Sequence, residues 1–229
     1  MRKELADYLD KAYSNIIGFC PAKTIWALDI LENIDLNKDH GVMEIGVHHG
    51  QFFIALNSVV NSSFQSVAVD VFGRQDLNID ASGEGNLDIF LDNLSKYDIH
   101  RGSNVIVACG DSTDHRTFNS LPAEYKYISV DGGHTVEHVI NDMNLASKFI
   151  SNEGVVIVDD YFNHWWPSVT EGILKYMSSS PTLVPFMSTP NKLWFCKLSY
   201  KNRYYAHMNQ INNNKCCTKL FGHDIIDFC

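Results

Sequence analysis

Short apolar runs rich in β-branched residues alternate with helical patterns along most of this chain. This alternation is typical of a parallel sheet whose strands are joined by crossover helices. We therefore expect an α/β fold, a doubly wound, seven-stranded, mostly parallel sheet of the Rossmann-like kind. The predicted strands are 42–47, 66–71, 105–108, 125–130 and 155–158, with two more at 182–186 and 193–197.

The predicted strands divide the chain into three parts. Residues 1–40 contain an N-terminal helical segment that runs to about Asn37. Residues 41–199 form the core, and residues 200–229 form a C-terminal appendage rich in Asn and Lys. The appendage is a helical extension, a subunit contact or a loose end. A homo-oligomer is left open, with the two ends of the chain as candidate contacts.

Composition narrows the classes of partner. The formal net charge is −9, and no cluster of Lys and Arg follows a phosphate backbone, so we expect no nucleic-acid partner. No apolar run approaches the roughly 18 residues of a membrane span, and the N-terminus lacks a signal peptide's apolar region. The six cysteines form no C-x-x-C pair. We expect a cytoplasmic protein with reduced thiols that does not enter a membrane.

The segment EIGVHHG at 44–50 closes the first strand and opens a helix. Gly46 lets the backbone turn sharply beside a ligand, and Gly50 lets the helix pack closely. Glu44 stands where a dinucleotide fingerprint has its first glycine. A carboxylate there repels pyrophosphate and suits a cation, so the spacing favours S-adenosylmethionine, with its ammonium and sulfonium, over NAD. The alternative is a tight turn that binds nothing.

Two further strand ends carry short polar residues. Asp70 ends the second strand, where an acid can accept both ribose hydroxyls of an adenosine. Phe72 is predicted to stack on the adenine, unless it belongs to the core. Asp111 and Ser112 follow the third strand and can meet the adenine amino group, although Gly-Asp-Ser is also ordinary turn chemistry.

Three carboxylates follow two strands that are neighbours in a doubly wound sheet. Asp131 ends the fourth strand, and Asp159 and Asp160 end the fifth. Unpaired, these acids would repel one another. Either a hard divalent cation, with Mg²⁺ preferred, joins them, or they cap the helices that follow. We favour the metal, because capping requires one acid per turn rather than two adjacent ones.

The histidine after the fourth strand belongs to a misleading motif. His134 and His138 match H-x-x-E-H, a zinc-protease pattern, but no separate catalytic domain is left over. The alternative places His138 on an exposed helix face. His134 is predicted to act as a general base on a substrate hydroxyl, or else to bond a backbone carbonyl. Trp165 and Trp166 either wall a substrate pocket or belong to the core.

Together these segments resemble the class I S-adenosylmethionine-dependent methyltransferases over about residues 42–197. The DGGH and DDY motifs are similar to those of small-molecule O-methyltransferases of sugar and antibiotic tailoring, several of which use Mg²⁺. The resemblance implies a role for each matching position: Glu44, Gly46 and Gly50 in the cofactor turn, Asp70 on the ribose, Asp111 and Ser112 beside the adenine, and Asp131, Asp159 and Asp160 on the metal, with Asp131 also beside the cofactor.

The expected function is therefore methyl transfer from S-adenosylmethionine to a hydroxyl of a small molecule, a sugar or sugar-containing metabolite by family analogy. Asp131 or His134 takes the proton, and Mg²⁺ assists. The loop at 73–85 resembles a loop of one branch of this family, and a lid is one role for it. The rivals are a metal-independent methyltransferase acting on another atom and a non-catalytic nucleoside-binding module. A serine hydrolase is disfavoured because G-x-S-x-G is absent.

Overall fold

The fold is described from a computed structural model, which describes residues 1–34, 39–179, 181–211 and 216–228. The predicted end of the N-terminal helical segment, near Asn37, lies outside these residues. The strands are β1 (Gly41–Ile45), β2 (Ser66–Asp70), β3 (Val105–Cys109), β4 (Tyr125–Val130), β5 (Ile150–Asp159), β6 (Leu183–Thr189), β7 (Lys192–Lys197), β8 (Cys216–Leu220) and β9 (His223–Asp227). The α-helices are α1 (Lys3–Lys11), α2 (Ala22–Leu31), α3 (Gln51–Asn57), α4 (Leu87–Tyr97), α5 (Val136–Phe149), α6 (Pro167–Ser178) and α7 (Leu198–Ile211).

The strands form one sheet in the order β3-β2-β1-β4-β5-β7-β6-β9-β8. The first five in this order run parallel, and β7 pairs antiparallel with both β5 and β6. The predicted α/β class with a mostly parallel, doubly wound core is confirmed. Among the described residues, no helix is both long enough and apolar enough to cross a bilayer.

The predicted number of strands was wrong, because the sheet has nine strands rather than seven within the part of the chain that the structure describes. The C-terminal tail forms α7 and then a hairpin of β8 and β9, and β9 pairs in parallel with β6. The sequences CCTKL and HDIID carry too few apolar residues to display a strand pattern. Strand β8 is also the edge of the sheet, where a polar outer face is tolerated.

The sheet is covered on both faces, and each strand contributes alternate residues to each. Val67 and Val69 belong to the core cluster that includes side chains of α5 and α6, whereas Ala68, between them, belongs to the cluster on the other face. That other face is covered by α1, α2, α3, α4 and α7, so both ends of the chain share one hydrophobic core with the central strands. This period of two is what the apolar runs of a doubly covered sheet require.

The order of the strands fixes where a ligand can bind. The chain runs outward from β1 to β3 and then returns to β4 on the opposite side of β1. This switch point opens a crevice at the carboxyl ends of β1 and β4. The two ends are tied together, since the Asp131 amide donates to the Ile45 carbonyl at 2.8 Å. The site is therefore expected above these strand ends.

Candidate functional site

A cavity of about 880 Å³ opens above the carboxyl ends of the five parallel strands. Loop 73–85 forms one of its walls, and the segment after β5 forms another. Its size suits a nucleoside-sized ligand together with a second small molecule. Most of the predicted site residues lie on its surface: Gly46, Asp70, Asp111, Ser112, Asp131, His134, Asp159 and Asp160.

The turn after β1 requires its glycines. Gly46 has φ of +85°, and a Cβ atom there would lie 1.8 Å from the Asp131 carbonyl oxygen. Gly50 has φ of +88°, and its Cβ would meet the ring of Phe90 at 2.8 Å. Gly46 thus holds the turn against the end of β4 and lies on the cavity surface, and Gly50 lets the start of α3 pack against α4.

Glu44 does not lie on the cavity, contrary to its predicted role in cofactor binding. Met43 and Ile45 point toward α5 and α6, so the period of the strand sends Glu44 to the opposite face, where it is 1 % exposed. Burial raises the pKa of Glu44 to about 8, although the charge of Lys192 opposes this shift. Because its carboxyl is buried and does not reach the cavity surface, Glu44 does not contact a ligand bound in the cavity.

Asp70 is held at the cavity by the backbone around it. Its Oδ2 accepts from the His48 amide at 2.7 Å, and its Oδ1 accepts from the Phe72 amide at 2.6 Å. Burial raises the pKa of Asp70, and these backbone hydrogen bonds oppose that shift. Each carboxylate oxygen has a second lone pair, so the side chain keeps the capacity to accept from a pair of hydroxyls.

Phe72 is not available to stack on an adenine, which corrects its predicted role. Its ring is 2 % exposed and packs against Phe90 with the ring centroids 5.7 Å apart. The residue has φ of +45°, so the chain turns there and directs the ring into the core. Val71, its neighbour, lies on the cavity surface instead.

The Gly-Asp-Ser turn after β3 meets the N-terminal end of α5. Asp111 Oδ1 lies 3.3 Å from His138 Nε2, and the Ser112 carbonyl accepts from Asn141 Nδ2 at 2.8 Å. Thr135 caps the helix by accepting from the His138 amide at 3.2 Å. The alternative of an exposed His138 is wrong, because this residue is 7 % exposed and lines the cavity.

His134 is clamped between two carboxylates. Its Nδ1 lies 3.0 Å from Asp80 Oδ2, and its Nε2 lies 2.9 Å from Asp160 Oδ2. The ring also stacks on Trp166 at 4.2 Å between centroids. Burial lowers the pKa of His134, but the hydrogen bond with Asp160 and the charges of Asp131 and Asp80 outweigh it and raise the pKa.

A ring whose two nitrogens both face carboxylates is stabilised as the imidazolium. In that state His134 donates from both nitrogens and has no lone pair with which to take a proton from a substrate. The alternative of a backbone-carbonyl partner is also not what the structure shows, since both ring partners are side chains. Of the two predicted proton acceptors, Asp131 therefore has the better geometry.

Two of the three predicted metal acids, Asp131 and Asp159, are joined by a lysine that the sequence reasoning missed. Lys192 opposes Asp159 in the register of β5 and β7, and its Nζ forms a short ion pair with Asp159 Oδ2. The same Nζ lies 3.6 Å from Asp131 Oδ2. A lysine directly before the apolar run at 193–196 was the signal that could have revealed it.

Asparagine side chains occupy other oxygens of these acids. Asn191 Nδ2 donates to Asp159 Oδ1 at 2.9 Å and to Asp160 Oδ1 at 2.6 Å. Asn163 Nδ2 donates to Asp160 Oδ1 at 2.8 Å. Both oxygens of Asp159 and both of Asp160 therefore already accept from protein donors.

These contacts do not fit the predicted Mg²⁺ on Asp131, Asp159 and Asp160. A divalent cation there would have to displace the ammonium of Lys192 and the amide of Asn191. Asp131, His134 and Asp160 do offer one ligand atom each within 4.8 Å of one another. Yet that set includes a ring that already faces two carboxylates, and Mg²⁺ prefers oxygen ligands to imidazole.

A cavity at the switch point of a mostly parallel sheet is where doubly wound α/β proteins bind their ligands, and this one has an acid at the end of β2. The family model described as "Methyltransferase domain" matches residues 43–161. The chain belongs to this family.

One relative, uncharacterized protein R132 of Acanthamoeba polyphaga mimivirus, is 34 % identical over 90 residues, which are 38 % of this chain and 40 % of that protein. The match thus spans less than half of that relative. The O-methyltransferase NovP has a similar fold, with a TM-score of 0.62 at 16 % identity, covering 77 % of this chain and 80 % of NovP. MycE methyltransferase of the mycinamycin pathway, in complex with Mg and SAH, gives a TM-score of 0.56 at 14 % identity, covering 86 % of this chain and 55 % of MycE.

Proposed function

We propose that this protein transfers a methyl group from S-adenosylmethionine to a hydroxyl oxygen of a small molecule. The observation that carries the proposal is the position of Asp70, a carboxylate on the cavity at the end of β2, inside the stretch that matches the methyltransferase family. An acid at this strand end is suited to the two ribose hydroxyls of an adenosyl group. The Mg²⁺ and SAH seen with MycE belong to that protein, and only the nucleoside is carried over here.

The residues that line the cavity suggest the orientation of the cofactor. Asp70 would accept the ribose hydroxyls, and Asp111 and Ser112 would lie on the adenine side, near the end of β3. Because Gly46 has no side chain, the backbone of the turn would contact the ribose and the amino-acid portion of the cofactor. The methyl-bearing end would then point toward Asp131, at the end of β4.

When bound, the cofactor supplies a methyl group on a sulfonium that is open to in-line displacement by an oxygen. The protein contributes alignment of the acceptor hydroxyl and removal of its proton. Asp131 is the candidate base, since its side chain is 28 % exposed and lies on the cavity surface. His134, held as a cation, would position Asp160 and the wall formed by Trp166.

The mouth of the cavity favours an acceptor with an apolar face. Phe162 and Trp165, after β5, are 59 % and 75 % exposed and line the cavity, and so does Ile79 of loop 73–85, which is 64 % exposed. Flat aromatic side chains pack on the apolar faces of rings, including sugar rings. A sugar or sugar-containing metabolite, with a hydroxyl directed at Asp131, is the acceptor we propose.

Calorimetry with S-adenosylhomocysteine tests the cofactor part of this proposal. The protein should bind it, and Asp70→Asn should bind it about 10- to 100-fold more weakly, the value of a charge-assisted hydrogen bond. Asp76→Asn is the matched control, because Asp76 is an exposed acid of the neighbouring loop whose side chain pairs with Arg74. Binding of NAD in place of S-adenosylhomocysteine would refute the proposal.

Transfer itself is tested with methyl-labelled S-adenosylmethionine and a panel of glycosides and hydroxylated aromatics. The expected product carries the label on oxygen, and Asp131→Asn should suppress its formation without loss of S-adenosylhomocysteine binding. Label on nitrogen or carbon, or binding without transfer to any member of the panel, would favour the rival functions.

A further inference from the structure

We infer that Lys192 is a built-in counter-cation, which takes the place that a divalent metal would hold against Asp131 and Asp159. The cavity would then accept its methyl acceptor without a bound metal ion. This inference rests on the proposed function, because it concerns the floor of the same cavity. It separates this chain from a methyltransferase whose acids are joined by a metal.

The register of the sheet places the ammonium where the two strand ends meet. Lys192 is the first residue of β7 and lies opposite Asp159, the last residue of β5. Its Nζ contacts Asp159 and lies 3.6 Å from Asp131 Oδ2, so it bridges the ends of β4 and β5. Strand β7 pairs with β5 on one side and with β6 on the other, and this pairing fixes the position of Lys192.

The ammonium of Lys192 is buried, and its partners all belong to the protein. Lys192 is 0 % exposed, and its Nζ lies 4.9 Å from the centroid of the Phe52 ring. An ammonium taken out of water requires compensating partners, and here two carboxylates and an aromatic face provide them. A buried lysine is uncommon unless it is paired, so the pairing explains its place in an apolar strand.

The same geometry disfavours a second cation. A divalent ion bound by Asp131 or Asp159 would lie beside the ammonium in a partly buried site, where repulsion between like charges is screened poorly. The remaining oxygens of Asp159 and Asp160 are engaged as well, because Asn191 donates to both residues. His134 holds the last oxygen of Asp160. The repulsion among the three adjacent acids is therefore reduced by side chains of the protein itself, without a metal ion.

Titration with Mn²⁺, followed by electron paramagnetic resonance on the S-adenosylhomocysteine complex, tests the inference. The native protein should bind no Mn²⁺ at the floor up to about 1 mM, the weak end of protein sites for hard divalent cations. Lys192→Met, which removes the charge but keeps the length, should gain one bound Mn²⁺ per chain. Adding Asp159→Asn to that variant should remove the gained ion.

Lys126→Met is the matched control. Lys126 is also a buried lysine, 4 % exposed, but it pairs with Glu32 at 3.1 Å and donates to the Val59 carbonyl, away from the cavity. Its loss lowers the net charge by the same amount and should gain no Mn²⁺. A gain in both variants would show a general effect of charge and would overturn the role given to Lys192.

Two other results would overturn the inference. One is a native protein that binds one Mn²⁺, with that binding lost in Asp131→Asn. The other is a folded Lys192→Met variant that gains none. If Lys192→Met does not fold, the titration of the native protein decides alone. Binding of S-adenosylhomocysteine, measured on the same samples, separates this inference from the proposed function, since its absence would refute the function and leave the Mn²⁺ result standing.

Discussion

The carboxylate of Asp80 accepts two hydrogen bonds from His134, one from its backbone amide at 2.5 Å and one from its Nδ1 at 3.0 Å. Asp80 belongs to loop 73–85, and His134 follows the end of β4, so this pair ties the loop to the sheet. Burial opposes the charge, but hydrogen bonds from Ser82 and His134 lower the pKa of Asp80 to about 2. The tie therefore holds across the physiological pH range.

Asp80→Asn should loosen the loop that walls the cavity. The variant keeps the size of the side chain but exchanges a charge-assisted hydrogen bond for a neutral one. S-adenosylhomocysteine should dissociate about tenfold faster, as for loops that gate a site. Stopped-flow release and amide exchange of residues 73–85 measure this. Asp76→Asn, in the same loop but exposed and paired with Arg74, should leave both unchanged. Equal release from the two variants would show that the tie does not gate the cavity.

Much of the fold follows from local patterns. The runs around Val67 and Val156 are apolar on both faces, as strands in a doubly covered sheet must be, and Gly46 and Gly50 mark the turn that needs positive φ. These signals act within a few residues, so the sequence displays them directly. The positions of Asp70 and Asp131 could be predicted for the same reason, because residues at the carboxyl ends of neighbouring parallel strands lie at one edge of the sheet.

What the sequence could not reveal depends on contacts between distant residues. The partner of Asp159 is Lys192, which a strand reversal brings to it from further along the chain. One of the two partners of His134 is Asp80, in a loop without a strand or helical pattern. Glu44 closes the first strand as the motif predicts, but only the sheet shows that its side chain is buried away from the cavity.

Gly46→Ala should abolish binding of S-adenosylhomocysteine. A Cβ atom at this residue would lie 1.8 Å from the Asp131 carbonyl oxygen, and φ of +85° is strained for alanine. The ends of β1 and β4 must separate to admit it. Calorimetry and thermal unfolding measure the loss. Gly73→Ala is the control, since a Cβ there has nothing within 4 Å, and it should behave like the native protein. Normal binding by Gly46→Ala would mean that the turn does not face the ligand.

Phe72→Leu distinguishes a core residue from a stacking residue. The ring packs on Phe90 inside the core, so its replacement should lower the free energy of unfolding by about 1–2 kcal/mol. Affinity for S-adenosylhomocysteine should change by no more than about twofold, a few tenths of a kcal/mol. Urea unfolding and calorimetry supply the two values. The opposite result, a large loss of affinity at constant stability, would restore the stacking role predicted from the sequence.

Glu44→Gln should weaken the pH dependence of stability, so that the variant compares better with the native protein at alkaline pH than at acid pH. In the unfolded chain this carboxyl has the ordinary glutamate pKa of 4.5, and burial raises the pKa in the folded state to about 8. The folded state thus retains a proton that the unfolded state has lost, so native stability is full below pH 4.5 and falls as pH rises toward 8, by at most about 5 kcal/mol. Glutamine has no proton to lose, and its curve should be flatter. Urea unfolding at about pH 5 and about pH 8 measures the difference, with Glu171→Gln, at an exposed pair with Lys175, as control. The same difference between native and variant at both pH values would show that Glu44 does not titrate in this range.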